Sequence, residues 1–316
     1  RRVLFRSIAS DSSFQENSNG VPAFFTTIWT NTMIDQVVKV MTASIVGEEM
    51  QQGDWTTTNV KVPTRSFTYQ NAPYGDFSLE GQSGVNYNWE NRQVYKMQNN
   101  IQYGDSEVDT MATGKIDVVG SKRQAQAIGF AQDFNTIFYF GKDGMEIYGL
   151  INNPDNNPAI PSAQNAAGTS TYLKDKDPNE IYNTVLDMYT ELSAENGGNI
   201  TMQDKMYLIL SPKLAPLFNT VTQQFLKSAK AAIAENLPNL EFVEAPQYDN
   251  IGTMQLVLDN VLGQRVVYNA FTYKFRSHGV IRERSAYVEK ASAGTAGAIV
   301  AYPAGVCTMT GVSPTA

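Results

Sequence analysis

Apolar and polar positions divide the chain into four stretches of different periodicity. Residues 8 to 51 open with a polar lead, SDSSFQENSNG, and continue with apolar positions from Phe24 to Val46 at helical spacing. This part predicts an N-terminal arm with one or two short helices. From 52 onward the spacing falls to every second residue: Val60 with Val62, Phe67 with Tyr69, Val85 with Tyr87 and Trp89, Tyr95 with Met97, and Ile101 with Tyr103. Alternation carried by β-branched and aromatic residues predicts strands. The stretch NAPYGDFSLEGQSG between them is rich in Gly, Pro, Asn and Ser and predicts a long hairpin tip or extended loop. Such an arm buries little core of its own, a liability in a monomer and a means of reach in an assembly.

The third stretch predicts one long helix. Asp117 is placed to cap it, and Val119, Arg123, Ala127, Phe130, Phe134, Ile137 and Phe138 follow at three- and four-residue spacing. Its roughly 23 residues span about 35 Å. It ends in the aromatic run IFYF before Gly141, a residue suited to a helix stop. GDSEVDTMATG, just before it, predicts a separate helical turn divided from the long helix by Gly114.

The fourth stretch alternates element types. DPNEIYNTVLDMYTELSAENGG has Asp177 as cap, Pro178 at the first helical position and Glu180 three residues after the cap, with Ile181, Val185, Met188 and Leu192 on one face. MYLILS predicts a buried strand, PKLAPLFN a short helix, TQQFLKSAKAAIAENL another helix, and LEFVEAP and MQLVLDN two strands. The end of the chain, from Arg265 to Val312, predicts strands in succession that pair with earlier parts of the chain. Strands and helices mixed in this way predict an α+β fold.

Composition narrows the function. With 316 residues, 42% hydrophobic and 17% charged, the chain is long enough for one full core and for two or three lobes. It holds no apolar run of the length a membrane helix needs, and its first residues lack the apolar run of a signal peptide. Neither membrane insertion nor export by the usual route is expected. The first seven residues, RRVLFRS, match the translation of a common sequencing adapter and are expected to be foreign, with the true N-terminus lost. The net charge of −7 argues against a protein whose main task is to hold nucleic-acid phosphates.

Candidate chemistry is sparse. His278 is the single histidine and Cys307 the single cysteine, which excludes an internal disulfide and the usual zinc sites. His278, beside Ser277, is expected to be structural, and Cys307 a buried small hydrophobe. NNPDNNP, residues 152–158, lacks the glycine and the terminal acid of a calcium loop and predicts turns. Gly141 and Gly144 do not fit a phosphate-binding spacing, and the Asn199 sequon carries no weight without a secretory route. No catalytic, metal-binding or cofactor-binding residue is assigned, and no cofactor is expected.

The order of elements carries a resemblance. An extended β-arm with a Gly/Pro/Asn tip, a long helix ending in FGKDGMEIYGLINNP, a lobe with LILSPKLAPLF and closing strands with VAYPAGVCTMTGV together resemble the major capsid protein of tailed bacteriophages, the Hong Kong 97-like fold. The likeness is greatest to its encapsulin-related branch, in which the long helix runs into a Gly-Leu-x-Asn-x-Pro turn, here Gly149, Leu150, Asn152 and Pro154. The resemblance implies an extended loop at 52–93 that overlaps a neighbouring subunit. It also implies a peripheral domain of 94–154 plus 266–316 on a spine helix at 117–140, and an axial domain at 155–265. Tyr69, Tyr74, Phe77 and Trp89 would make the inter-subunit contact of the loop. Phe130, Phe134, Phe138 and Phe140, with Gly141 and Gly149, would form the spine and the junction between domains. The implied function is a non-enzymatic, self-assembling icosahedral shell around phage double-stranded DNA. It would be built from pentamers and hexamers in the host cytoplasm and found in the virion. Scaffold, portal and decoration proteins would be further partners, with loose contact to DNA and none to membrane. No Lys and Asn positions match the cross-linking pair that one family member uses. An encapsulin-like nanocompartment shell is the alternative, followed by a β-rich receptor- or carbohydrate-binding protein and by an enzyme centred on His278.

Overall fold

The computed structural model describes residues 40–314 except 78, 115, 222–226 and 262. RRVLFRS, the polar lead and most of the segment from Phe24 to Val46 lie outside the described residues. What remains of that segment is a single helical turn, α1 (Ala43–Val46), followed by a short strand, β1 (Glu48–Gln51).

Two strands of twelve residues come next, β2 (Asn59–Gln70) and β3 (Gln82–Gln93), paired in continuous antiparallel register from Asn59 opposite Gln93 to Gln70 opposite Gln82. They form a sheet of their own, as the alternation predicts. Only the inner end has a core: Val60, Val62 and Val94 pack with Met50, Ala270, Ala296 and Ile299.

β4 (Tyr95–Gly104) leads into a nine-residue helix, α2 (Asp105–Thr113), and then the long helix α3 (Val118–Phe140). The Asp117 side chain accepts from the Gly120 N–H at 2.8 Å, which is the cap the sequence predicts. Behind α3 lies a four-stranded sheet in the order β1, β11 (Val267–Glu283), β12 (Ala286–Val300), β4. The small side chains Ala291 and Ala293 let α3 approach, and Phe130, Ile137, Met97 and Ile147 complete that core. The buried face of α3 is not the predicted stripe throughout. Ala127 is exposed and Gln126 is buried, because Gln126 Nε2 donates to the Asn99 carbonyl of β4 at 2.7 Å.

The second sheet has five strands in the order β5 (Ile160–Pro161), β13 (Val306–Thr310), β8 (Thr253–Leu258), β6 (Met206–Leu210), β7 (Leu240–Glu244). β6 and β8 are buried along their whole length. Helices α4 (Pro178–Glu195) and α5 (Ala229–Asn236) cover this sheet. α4 has the predicted capping box, with the Asp177 N–H donating to Glu180 at 2.8 Å, and it buries Ile181, Val185, Met188 and Leu192. PKLAPLFN yields a 3₁₀ turn at Ala215–Asn219. The helix expected over 222–237 starts only at Ala229: Ser228 is extended, bridges to Val221 and accepts from the Ala231 N–H. Residues 222–226 of that expectation lie outside the described residues. A two-residue ladder joins β9 (Asn260–Val261) to β10 (Gln264–Arg265).

The resemblance implies one domain for 94–154 with 266–316; the strands within 266–316 divide between the two sheets. β11 and β12 join the four-stranded sheet, while β13 pairs with β8, Cys307 opposite Leu256 and Met309 opposite Met254. The turn at Pro303–Gly305 redirects the chain. Apolar alternation in β13 fits either sheet, and only long-range pairing decides. Between the sheets, Arg265 forms ion pairs with both Glu48 of β1 and Asp259.

Candidate functional site

The β2–β3 register sorts the hairpin's side chains by face. Directly opposed residues share a face in an antiparallel pair, so Pro63 with Trp89, Arg65 with Tyr87, Phe67 with Val85, and Tyr69 with Ser83 line one side. Ser66, Thr68, Gln70, Asn86 and Gln82 line the other. The aromatic side lies in solvent: Tyr69 is 77% exposed and Trp89 60%. At the tip Tyr74 is 92% exposed, Phe77 100% and Leu79 98%. Within the chain these side chains gain almost nothing from the hydrophobic effect. A contiguous exposed apolar face of this kind marks an interaction surface.

The root of the hairpin is fixed tightly. Arg92, at the end of β3, is 2% exposed and bonds Glu90 at 3.1 Å, Asn153 at 3.4 Å and Asp155 at 3.4 Å. Its guanidinium also stacks 4.6 Å from the Tyr148 ring centroid. Burial, then the neighbouring Asp155 charge, push the Glu90 carboxyl above its ordinary value despite Arg92. Further bonds run from Gln93 N–H to Glu146 O at 3.2 Å and from Val94 N–H to Thr58 O at 2.8 Å. The arm is thus loose in contacts along its length and clamped at its base.

The clamp leads to the turn after α3. Gly141 has φ 68°, and a Cβ there would stand 2.3 Å from the Ile147 carbonyl oxygen. A Cβ on Gly149 would stand 2.3 Å from the Tyr139 carbonyl oxygen and 2.5 Å from Gly141 N. The two glycines let the returning chain lie against the helix end. Leu150 and Ile151 then donate their N–H groups to the Phe138 and Tyr139 carbonyls. Asn152 closes the turn, its Nδ2 donating to the Phe140 carbonyl and its Oδ1 accepting from Gly149 N–H, both at 2.7 Å. The Gly-Leu-x-Asn motif is therefore the C-terminal cap of the long helix.

Of the aromatic residues predicted there, Phe130 and Phe138 are buried and Phe134 is half-buried. Phe140 is not in the junction: it is 37% exposed, and Tyr139 is fully buried instead. Tyr139 stacks edge-on against Phe138 and Tyr248 and shares a 2.7 Å hydrogen bond with the Thr42 hydroxyl. The sequence reading missed three side chains. Arg92 and Asn135 are polar on core faces, and Asn135 Oδ1 accepts from the Thr42 and Ala43 N–H groups at 2.9 Å each. Glu289 accepts two bonds from Arg123, at 2.8 and 2.6 Å, and one from Tyr103 at 2.7 Å.

Comparison with known proteins decides the class. Residues 12–311 match the family described as Pa193 gp26 major capsid protein. The chain belongs to that family. As a major capsid protein it is a structural subunit of an icosahedral phage shell, acting through contacts with other copies of itself. The match separates it from the nanocompartment, surface-binding and enzyme alternatives. No curated protein matches its sequence. Among solved structures it is similar to the capsid of Myoviridae phage XM1, with a TM-score of 0.73 at 14% identity over 92% of this chain and 98% of that one. It is also similar to the capsid of the native GTA particle, with TM-score 0.63 at 12% identity over 94% and 99%. A third is the virus-like particle from Pyrococcus furiosus, with TM-score 0.50 at 10% identity over 84% and 91%. These likenesses establish the mixed α+β fold of the Hong Kong 97 type.

In the capsid protein the sequence's chemical candidates have structural partners. His278 Nε2 lies 2.8 Å from the Ser292 hydroxyl, and its ring meets Trp55 edge-on. Cys307 is buried, and burial pushes its thiol up to about 12, so it is a poor nucleophile. Among the described residues no cluster of metal-ligating side chains occurs.

Proposed function

We propose that the β2–β3 hairpin of this major capsid protein is the arm by which one subunit overlaps the next. The observation that supports this reading is the aromatic face of Phe67, Tyr69, Tyr87 and Trp89, continued by Tyr74 and Phe77 at the tip, which finds no cover among the described residues. Burying such side chains is worth about 1.5–3 kcal/mol each, and aromatic residues dominate interface energetics. Several contacts of this size, each reversible alone, are multiplied by symmetry into a closed particle. Arg92 and the Gly141–Asn152 turn hold the arm at its angle, so reach and direction are set by different residues.

The reading extends to the domains and the contents. The four-stranded sheet with α3 as spine serves as the peripheral domain, residues 94–154 with 266–300. The five-stranded sheet with α4 and α5 serves as the axial domain, residues 155–265 with β13. Phe130, Phe134 and Phe138 pack the spine, and Gly141 with Gly149 forms the junction. The shell encloses double-stranded DNA, and the net charge of −7 keeps that DNA from adhering to the wall. Pentamers and hexamers assemble in the host cytoplasm, with scaffold, portal and decoration proteins as further partners.

The test is the double variant Tyr74→Ser with Phe77→Ser. Both residues are almost wholly exposed in the subunit, so thermal unfolding should match wild type while particle formation, read by sedimentation and electron microscopy, falls sharply. Particles formed at the wild-type yield would refute the arm.

A further inference from the structure

The groove between α3, β11 and β1 contains a polar atom that its surroundings leave unpaired. Asn269, on β11, is only 7% exposed, and its Oδ1 is buried without a hydrogen-bond partner among the described residues. The neighbouring Asn135 of α3 is different, since its Oδ1 takes the Thr42 and Ala43 N–H groups. A buried acceptor without a donor loses its hydration and gains nothing in return. Such an atom in a native fold calls for a specific reason.

Asn269 lines a cavity of about 300 Å³ whose surface is mostly apolar. Four phenyl rings form much of its wall, Phe130 and Phe134 from α3 and Phe271 and Phe275 from β11. Phe130 and Phe275 meet edge-on with centroids 6.0 Å apart, and Phe275 remains exposed on its other side. The charged side chains at the cavity are Lys274 and Glu49, which are paired with each other. Lys274 also lies 5.0 Å over the Phe271 ring. With the two charges cancelled, the groove has nothing to attract an ion.

We propose that this groove is a binding site for a small uncharged aromatic molecule, one or two rings carrying a single N–H or O–H donor, of the indole and phenol class. The donor pairs with Asn269 Oδ1, and the ring packs edge-on or offset among the four phenyl groups. A cavity of this size with apolar walls and one well-placed polar atom is the usual form of a small-molecule site. Water is a poor occupant, because a buried water needs two to four polar partners and this groove offers mostly hydrocarbon. The ligand would touch α3 and β11 together with Met41 and Ala43, so binding ties the segment around α1 to the long helix. This site goes beyond the shell reading and does not depend on it.

Indole and its isostere benzofuran, which lacks the N–H, test the site. Each is titrated into the full chain, as free subunit and as assembled particles, and read by calorimetry and by the thermal midpoint. Indole should raise the midpoint of the free subunit and bind about tenfold or more tighter than benzofuran, because a site with an unpaired acceptor rejects an analogue without the donor. Asn269→Leu should erase that preference, and its own midpoint without ligand should equal or exceed that of wild type, since no oxygen is left unpaired. Ala131→Leu fills the groove from the α3 side and should abolish binding of both compounds with Asn269 still in place. The site is overturned if indole does not bind, if benzofuran binds as tightly, or if either variant behaves as wild type towards the two ligands. Indole that binds the free subunit but not the particle would mean that a second copy covers the groove in the shell, which also overturns a free-ligand site. The free-subunit titrations need no assembly, so a chain that forms no particles fails the shell reading and leaves this test intact.

Discussion

Glu289 is buried and Glu90 half-buried, and their surroundings push the two carboxylates in opposite directions. The bonds from Arg123, with that from Tyr103, hold Glu289 below its ordinary value of 4.5. Its contribution to stability is therefore complete above that value and lost as pH falls through the depressed folded value. Glu289→Gln should lower stability at neutral pH by on the order of 1–3 kcal/mol, with the gap to wild type closing in acid. Burial raises Glu90 above 4.5, so the native state favours its proton and the contribution fades as pH rises. Chemical denaturation across the acid range should show the Glu90→Gln difference moving in the variant's favour as pH rises. Arg92→Met leaves the half-buried Glu90 and the exposed Asp155 facing each other at the hairpin root, and about 1–3 kcal/mol should be lost by thermal unfolding, the cost of polar groups left without a partner. The Asp117 and Asp177 caps were legible in the sequence because a cap and its helix are neighbours in the chain. Arg92 and Asn135 were not, because their partners lie about 60 and 90 residues away.

The elements themselves divide along the same line. Helices α3 and α4 were readable to within a residue or two, since periodicity, cap and stop are all local. The hairpin was readable as alternation, but that alternation implies a buried face, and most of this hairpin buries none within the subunit. Its apolar side is uncovered among the described residues, as the proposed overlap with a second copy requires. The 3.6-residue period also misplaces the last turn of α3, where Tyr139 rather than Phe140 enters the core as the chain folds back at Gly141. That return is the most constrained piece of backbone here. Gly149→Ala puts a methyl 2.3 Å from the Tyr139 carbonyl oxygen and should cost at least about 1–3 kcal/mol by thermal unfolding, more than the same change at Gly144, where nothing stands within 4 Å. β13 was readable as a strand and not as a member of its sheet, because sheet membership is settled by pairing across some fifty residues.

For the whole molecule, the subunit divides stability from assembly. The five-stranded sheet with α4 and α5 holds most of the buried apolar side chains, whereas the outer hairpin, α2 and the β11–β12 turn hold almost none. Leu208→Ala, at a fully buried position of β6, should cost about 2–5 kcal/mol and lower the thermal midpoint of the free subunit. Changes in the outer hairpin, beyond its root at Glu90 and Arg92, should leave that midpoint alone and act on particles instead. Composition argued against an internal disulfide and the usual zinc sites, charge argued against a protein whose main task is to hold phosphates, and the order of elements pointed to the capsid family. The measurement closest to the central claim is particle mass and shape of the expressed chain, by light scattering on a sizing column and electron microscopy of the peak. Closed shells or capsomer rings, lost when residues 71–81 are replaced by a short Gly-Ser linker, are the predicted result. A 34.9 kDa monomer that persists at high concentration and with scaffold supplied, or shells indifferent to the missing tip, would contradict it.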